Sequence, residues 1–287
     1  MSGSVVVGVD GSPGSLAAVL VAAGEAVLRG RSLRVVHAVD DAAGPPAAGA
    51  PDQPAAAADQ VLAEAVGTAR DATPGLAVTG EVVGGRPAAA LVAESRHALL
   101  VVVGDRGLGE LAELVVGSVA VQVAAHAGCP VLVVRGDPAR AGDVLLGVDD
   151  SPVNEPAVEF AFQEAALRGT AITALHAWGH PAAGPLGDPR NRVAEAAAGE
   201  TRLLAEALAR WQEKYPDVTV HRTVVQAGTR AALIEASRRA QLAVVGARGR
   251  GGFTGLLLGS VSHALLHHAD CPLVIVRHTT AAAREGP

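Results

Sequence analysis

Short runs of β-branched and aliphatic residues recur along the chain, separated by longer stretches in which apolar positions return every three or four residues. In the first half the runs are Val5 to Val9, Leu33 to Val39, Leu76 to Val83, Leu99 to Val103 and Val131 to Arg135. They are nearly continuous rather than alternating in polarity, which predicts strands covered on both faces, as in a parallel sheet. The stretches between them predict helices. Leu16, Val19, Leu20, Ala23 and Val27 fall on one face at helical spacing, and Gly30 supplies a stop. Further helices fit Ala55 to Arg70, Pro87 to His97 and Ser118 to Ala127. The second half repeats the order, with strands near Val144 to Val148, Ala171 to Ala177, Val218 to Val225, Leu242 to Val245 and Leu273 to Arg277. Strands alternating with helices require right-handed crossovers and give doubly wound α/β domains.

The two halves are copies. SVVVGVDGSP, which contains Asp10, is answered by DVLLGVDDSP, which contains Asp149, 139 positions later. GDRGLGELAELVVGSVAVQVAAHAGCPVLVVRG, from Gly104, is answered by GARGRGGFTGLLLGSVSHALLHHADCPLVIVRH, from Gly246, 142 positions later. A period this long marks a duplicated domain rather than a solenoid array. The polar, Pro- and Gly-containing stretch Asp137 to Gly142 is the boundary, dividing the chain into domains at 1–139 and 140–287. Asp40 to Pro54 and Gly179 to Pro189 are loops on the carboxyl side of the second strands, where each would partly cover a ligand.

Composition narrows the function classes. The chain has 287 residues, of which 49% are hydrophobic, too apolar for disorder and enough for two cores. No apolar run is long enough to span a bilayer without charge or Gly/Pro interruption. Met1 to Asp10 lacks the basic n-region of a secretory signal, which places the protein in the cytoplasm. A net charge of −6 argues against nucleic acid as a partner, and three Phe, two Trp and one Tyr leave few platforms for base stacking. Two cysteines, Cys129 and Cys271, each before a Pro at the start of a fifth strand, read as packing. Lys214 is the only lysine, so every other basic contact belongs to arginine or histidine.

The candidate chemistry lies where the fourth strands end. Gly104, Gly107 and Gly117 followed by Ser118 give the spacing G-x2-G-x9-G-S, and Gly246, Gly249, Gly259 and Ser260 give it again. The last Gly and its Ser open a helix, so the first backbone N–H groups point toward anything docked there and form an anion site. Glycine lets the backbone approach phosphate oxygens, and the Ser hydroxyl either caps the helix or donates to a phosphate. Asp10 and Asp149 end the first strands, beside the fourth, at the switch point where a doubly wound sheet takes its ligand. A carboxylate there suits ribose hydroxyls or an adenine amino group.

Other nucleotide and hydrolase motifs do not fit. A Walker A loop needs Gly-Lys-Ser/Thr, and Lys214 lies far from any glycine run. Gly8, Gly11 and Gly14 have the wrong interval for G-x-G-x-x-G; an SGGxDS pyrophosphatase loop is missing, and no G-x-S-x-G elbow exists. His263, His267 and His268 do not form HExxH and read as a helix surface, and His37 and His176 as core or crevice lining.

Over essentially its whole length the sequence resembles the universal stress protein family, specifically the tandem-domain members, whose ATP-binding signature is G-x2-G-x9-G-[ST]. The resemblance implies two Rossmann-like domains, each with a five-stranded parallel sheet in the order 3-2-1-4-5 and helices on both faces, related by a pseudo-twofold. It implies ATP as ligand, with Mg2+ on the triphosphate, and a regulatory role as a nucleotide-dependent conformational or assembly switch. Asp10 and Asp149 would contact the nucleoside, and Val39 and Ala177 would lie against the adenine. Gly107, Gly117 and Ser118 would hold phosphates in the first copy, and Gly249, Gly259 and Ser260 in the second. Gly104, Arg106 and Val119, with Gly246, Arg248 and Val261, complete the set. The first copy departs from the consensus in carrying Asp105, Glu110 and Glu113, where the second has Ala247, Gly251 and Thr254 at about the same places and adds Arg250. The second site is therefore expected to bind ATP more tightly. A slow ATPase using a loop carboxylate and a structural dimerisation module without nucleotide are the alternatives. The fifth strands carry no edge-protecting charge, so they are expected to pair with another strand. The resemblance implies that they dock across the pseudo-twofold between the domains, that homodimers form, and that a regulatory protein partner senses the nucleotide.

Overall fold

The strands and helices follow from local chemistry. The computed structural model describes residues 3–40, 53–107, 116–149, 151–179, 189–249 and 257–278. The chain divides into two compact units, Met1–Arg135 and Gly136–Pro287.

In the first unit the order is β1 (Val5–Val9), α1 (Pro13–Leu28), β2 (Leu33–Val39), α2 (Gln53–Ala72), β3 (Val78–Gly84), α3 (Pro87–Glu94), β4 (Leu100–Gly104), α4 (Ser118–His126) and β5 (Val131–Val134). Every strand pairing here is parallel. β1 lies between β2 and β4, with Val5 opposite Leu33 on one side and Leu100 on the other; β3 flanks β2 and β5 flanks β4. Reversing direction on either side of β1 opens a crevice at the carboxyl ends of β1 and β4. α1 packs on α2 and α3 on α4, one pair for each face of the sheet.

The second unit repeats this with β6 (Val144–Gly147), a 3-10 turn at Pro152–Asn154, α5 (Glu155–Arg168), β7 (Ile172–Trp178), α6 (Pro189–Lys214), β8 (Val220–Gln226), α7 (Thr229–Ser237), β9 (Leu242–Gly246), α8 (Ser260–His268) and β10 (Leu273–Val276). β6 pairs in parallel with β7 and β9, β8 flanks β7 and β10 flanks β9. Helices again cover both faces, α5 with α6 and α7 with α8.

The two central strands of each unit are buried along nearly all their length, and each fully buried Val or Leu contributes roughly 1.5–3 kcal/mol. The face that α1 buries differs from the sequence-based one. Ala18, Val19, Ala22, Ala23 and Ala26 are inside, whereas Leu20 and Val27 are 49% and 53% exposed. Alanines at every fourth position let the helix approach the sheet closely, and that proximity outweighs burial of the larger residues.

Several polar devices occur in both units. Glu25 pairs with Arg29, and Glu164 with Arg168 at 3.1 Å, one helical turn apart, with both carboxylates buried. Ser95 Oγ accepts the Gly128 N–H at 2.8 Å, and Ser237 Oγ accepts the Asp270 N–H at 2.9 Å, fastening the turn before each fifth strand.

α1 ends as its glycine predicts. Gly30 has φ +59°, its N–H donates to Val27 O at 2.9 Å, and the Arg31 N–H donates to Ala26 O at 2.8 Å. Gly169, with φ +61°, closes α5, where the Thr170 N–H donates to Ala165 O at 3.0 Å. A Cβ would meet nothing within 4 Å at either glycine, so the cost of substitution is purely conformational. Gly30→Ala and Gly169→Ala should each lower stability by about 1 kcal/mol in urea titration, with an unchanged denaturant slope.

Candidate functional site

Each repeat follows its first strand with an aspartate, and a serine two residues on holds the carboxylate. Asp10 Oδ1 accepts the Ser12 N–H at 3.0 Å and the Ser12 hydroxyl at 2.6 Å. Asp149 Oδ1 accepts the same two donors from Ser151, at 3.0 and 2.5 Å. Ser12 Oγ in turn accepts the Ser15 N–H at 3.2 Å and caps α1, so one hydroxyl fixes the carboxylate and starts the helix. Sequence reasoning singled out the aspartates and missed these serines, although D-x-S-P stands in both repeats as the signal.

The other carboxylate oxygen faces the glycine loop. A Cβ on Gly107 would collide with Asp10 Oδ2, and one on Gly249 with Asp149 Oδ2. The second glycine of the motif is therefore imposed by close approach between the loop and the aspartate. The first glycine is also constrained, since a Cβ on Gly104 would stand 2.9 Å from Gly14 O and one on Gly246 3.0 Å from Arg248 O.

The loop is closed by the same bond in each repeat. The Gly117 N–H donates to Asp105 O at 2.7 Å, and the Gly259 N–H donates to Ala247 O at 2.7 Å. These bonds bring the motif's separated ends together; Glu110, Glu113, Arg250, Gly251 and Thr254 lie outside the described residues. Gly117 and Gly259 are the N-caps of α4 and α8, with extended backbone and no side chain to satisfy the helix start. Ser118 and Ser260, the first helical residues, are exposed, with Val119 and Val261 half-buried behind them. The first-turn N–H groups have no acceptor within their helix, and the positive end of the helix dipole favours an anion. Facing them, the aspartate accepts hydroxyl or amino donors, so the arrangement suits a ligand with an anionic and a neutral polar end.

In the second repeat Ser262, buried in the first turn of α8, places its hydroxyl 2.9 Å from Ala247 O and 3.0 Å from Gly259 O. The first repeat has Ala120 at that place, and nothing in the sequence pattern marks the serine out.

Val39 and Ala177 sit half-buried at the ends of the strands beside the aspartates. Just before them, His37 Nδ1 lies 2.8 Å from Val9 O and His176 Nδ1 lies 2.9 Å from Val148 O. A carbonyl only accepts, so Nδ1 carries the proton in both, and the histidines tie second strand to first. His176 Nε2 also meets Glu200 Oε2 at 2.8 Å. The crevice-lining loops expected at 40–54 and 179–189 lie mostly outside the described residues.

The electrostatics of the two loops differ. Arg106, exposed, lies 3.4 Å from the Asp105 carboxylate, whereas Arg248 follows Ala247. Arg277, just past β10, has its pKa lowered by burial and then by the charge of Arg248.

Both cysteines are buried. Burial pushes the Cys129 thiol up to about 12, outweighing a backbone hydrogen bond at Val101 that acts in the opposite direction. At pH 8 only about one thiol in ten thousand would then be thiolate, so Cys129 should resist a disulfide reagent in the native protein and react on unfolding. Its contribution to stability is full below the unfolded thiol's pKa and is lost as pH rises through about 12. Urea midpoints measured between pH 8 and 11 should fall accordingly.

Among the described residues, no group of three or more His, Cys, Asp or Glu is placed to hold a metal ion, and no helix is long and apolar enough to cross a membrane.

The model of the universal stress protein family matches residues 1–135 and 142–277. A universal stress protein of Mycolicibacterium smegmatis is 40% identical over 95% of this chain and 96% of its own length. One from Mycobacterium tuberculosis is 42% identical over 96% of this chain and 97% of its own. Among solved structures, a universal stress protein of Archaeoglobus fulgidus superposes with a TM-score of 0.73, covering 97% of this chain and all of that one at 19% identity, a likeness of fold.

Proposed function

Because the chain belongs to the universal stress protein family in both of its repeats, we propose that it is an adenine-nucleotide-binding regulatory protein, with ATP as its principal ligand. The observation that carries this reading is the recurrence, in each repeat, of an aspartate held by its own serine, a glycine pressed against that carboxylate, and an uncapped helix start closed onto the strand end. Phosphates would lie over the N–H groups at Ser118 and Ser260, the ribose or base would donate to Asp10 and Asp149, and Val39 and Ala177 would flank the adenine. Each of the segments 1–139 and 140–287 would be a nucleotide-binding domain in its own right.

Regulation would act by linkage. A nucleotide that binds one conformation or assembly better than another shifts the population by its differential affinity. The pseudo-twofold relation of the repeats and homodimerisation belong to the same reading and rest on the uncharged fifth strands, β5 and β10. Mg2+ would arrive on the phosphates. Asp105 at the root of the first loop is the donor type a hard cation takes, while the second loop has Ala247 there, so any hydrolysis would arise in the first repeat.

Ultraviolet absorption of the freshly purified, denatured protein tests the reading directly. With two Trp and one Tyr the chain absorbs weakly, so co-purifying nucleotide would dominate the nucleobase band. The expected result is such a band, or saturable ATP uptake by calorimetry when the protein is isolated empty. Neither band nor uptake would leave the dimerisation module as the better account.

A further inference from the structure

Resting on the nucleotide reading above, we propose that the two crevices discriminate ligands by phosphate charge. The second recognises the polyphosphate of a nucleoside di- or triphosphate through Arg277 and Arg248, and the first takes adenine nucleotides with little regard to phosphate number.

The geometry is set by β10. Val276 is paired with Gly246, and its carbonyl accepts the Ala247 N–H at 2.7 Å, so Arg277 leaves the sheet beside the root of the glycine loop. Its Nη1 lies 3.4 Å from Leu257 O, two residues before the glycine that caps α8. The guanidinium therefore stands against the segment that leads into the helix start. Arg248, exposed, lies one residue before the glycine pressed on Asp149. Two cations thus bracket the same turn and feel one another, and partial burial weakens the solvent screening between them. An anion placed between them relieves that repulsion, and each further phosphate adds charge where it is favoured.

The first repeat differs at the loop root. Arg135 matches Arg277 in position, so the fifth-strand arginine alone cannot distinguish the sites. Asp105 can, because its carboxylate lies 3.4 Å from Arg106 Nε and supplies within the protein the charge that a phosphate would bring. The loop sequences run the same way. Residues 105–117 hold three carboxylates and one arginine, and residues 247–259 hold two arginines and no carboxylate. The nucleotide's first phosphate reaches a helix start in both repeats, while the charge beyond it is attracted in the second and opposed in the first.

Calorimetric titration of AMP, ADP and ATP without Mg2+, on Gly259→Asp to leave the first site and Gly117→Asp to leave the second, tests this. In the second site affinity should rise on the order of fivefold with each added phosphate and fall as salt is raised. In the first it should change by less than about twofold. Arg277→Gln, placed in the Gly117→Asp protein, should flatten the series while leaving AMP affinity nearly intact, and Arg277→Lys should keep most of the slope. Arg248→Gln, at an exposed position, serves if the Arg277 variants unfold. Equal slopes in the two sites, or a slope indifferent to both arginines in folded protein, would overturn the proposal and leave the nucleotide reading standing. Absence of binding by all three nucleotides in the unmutated protein would remove both.

Discussion

Carrying Gly117→Asp and Gly259→Asp together, the protein should lose ATP affinity by about 100-fold or more while unfolding at an unchanged or slightly higher temperature. The two effects have opposite signs for one physical reason. Gly117 has φ −60° and Gly259 φ −73°, values open to any residue. A Cβ at either position meets its nearest neighbour at 3.5 Å, an ordinary contact, so the backbone need not move. Aspartate is a favoured N-cap, and its carboxylate would accept from the N–H groups of the first turn of α4 or α8. Those are the groups assigned to phosphate, so the substitution fills the site and places like charge against the ligand in a partly desolvated crevice. Calorimetry and thermal unfolding on the same preparation separate the two quantities. Affinity retained within threefold in a folded double variant would remove the helix starts from the binding site.

Gly107→Ala and Gly249→Ala should each weaken ATP binding in their own repeat by 10- to 100-fold and lower stability by roughly 1–2 kcal/mol. Here the new Cβ has no room. It meets Asp10 Oδ2 or Asp149 Oδ2, and the opposite oxygen of each carboxylate is held by two serine donors. Retreat of the loop is opposed by the 2.7 Å bond between the Gly117 N–H and Asp105 O, and by its counterpart at Gly259. Either the carboxylate leaves its serine or the loop opens. Combining Gly107→Ala with Asp10→Ala distinguishes these routes from a general disturbance. Removing the carboxylate should restore most of the lost stability and none of the affinity, a coupling measurable as a double-mutant cycle. Additive stability losses in the pair would show that Gly107 and Asp10 do not interact as placed.

These glycines also show how far the residue pattern reaches. Their spacing in both copies marked the loop, and the position of Asp10 and Asp149 at strand ends marked the crevice, because a parallel sheet bared at its carboxyl edge leaves few places for a ligand. The doubled order of strands and helices was legible as well, since valine-rich runs buried on both faces carry a signal independent of their neighbours. What Gly107 is pressed against was not legible, because Asp10 lies 97 positions away and only the pairing of β1 with β4 brings the two together.

By itself the sequence determined the duplicated α/β architecture, the places where each strand gives way to a turn, and the residue types at the candidate site. All of these depend on local preference or on short-range periodicity. The tertiary structure alone decided which face of α1 is buried. The chain there is apolar on nearly every side, so periodicity could not choose between Leu20 and Ala22, and the close approach that alanines allow did. It alone set Gly107 and Gly249 against the carboxylates and Arg277 beside Leu257, in contacts that depend on how chain segments are brought together. The reason is common to all three. A hydrogen bond or a packed face is fixed by distance in space, and distance in space is settled only when the sheet has assembled.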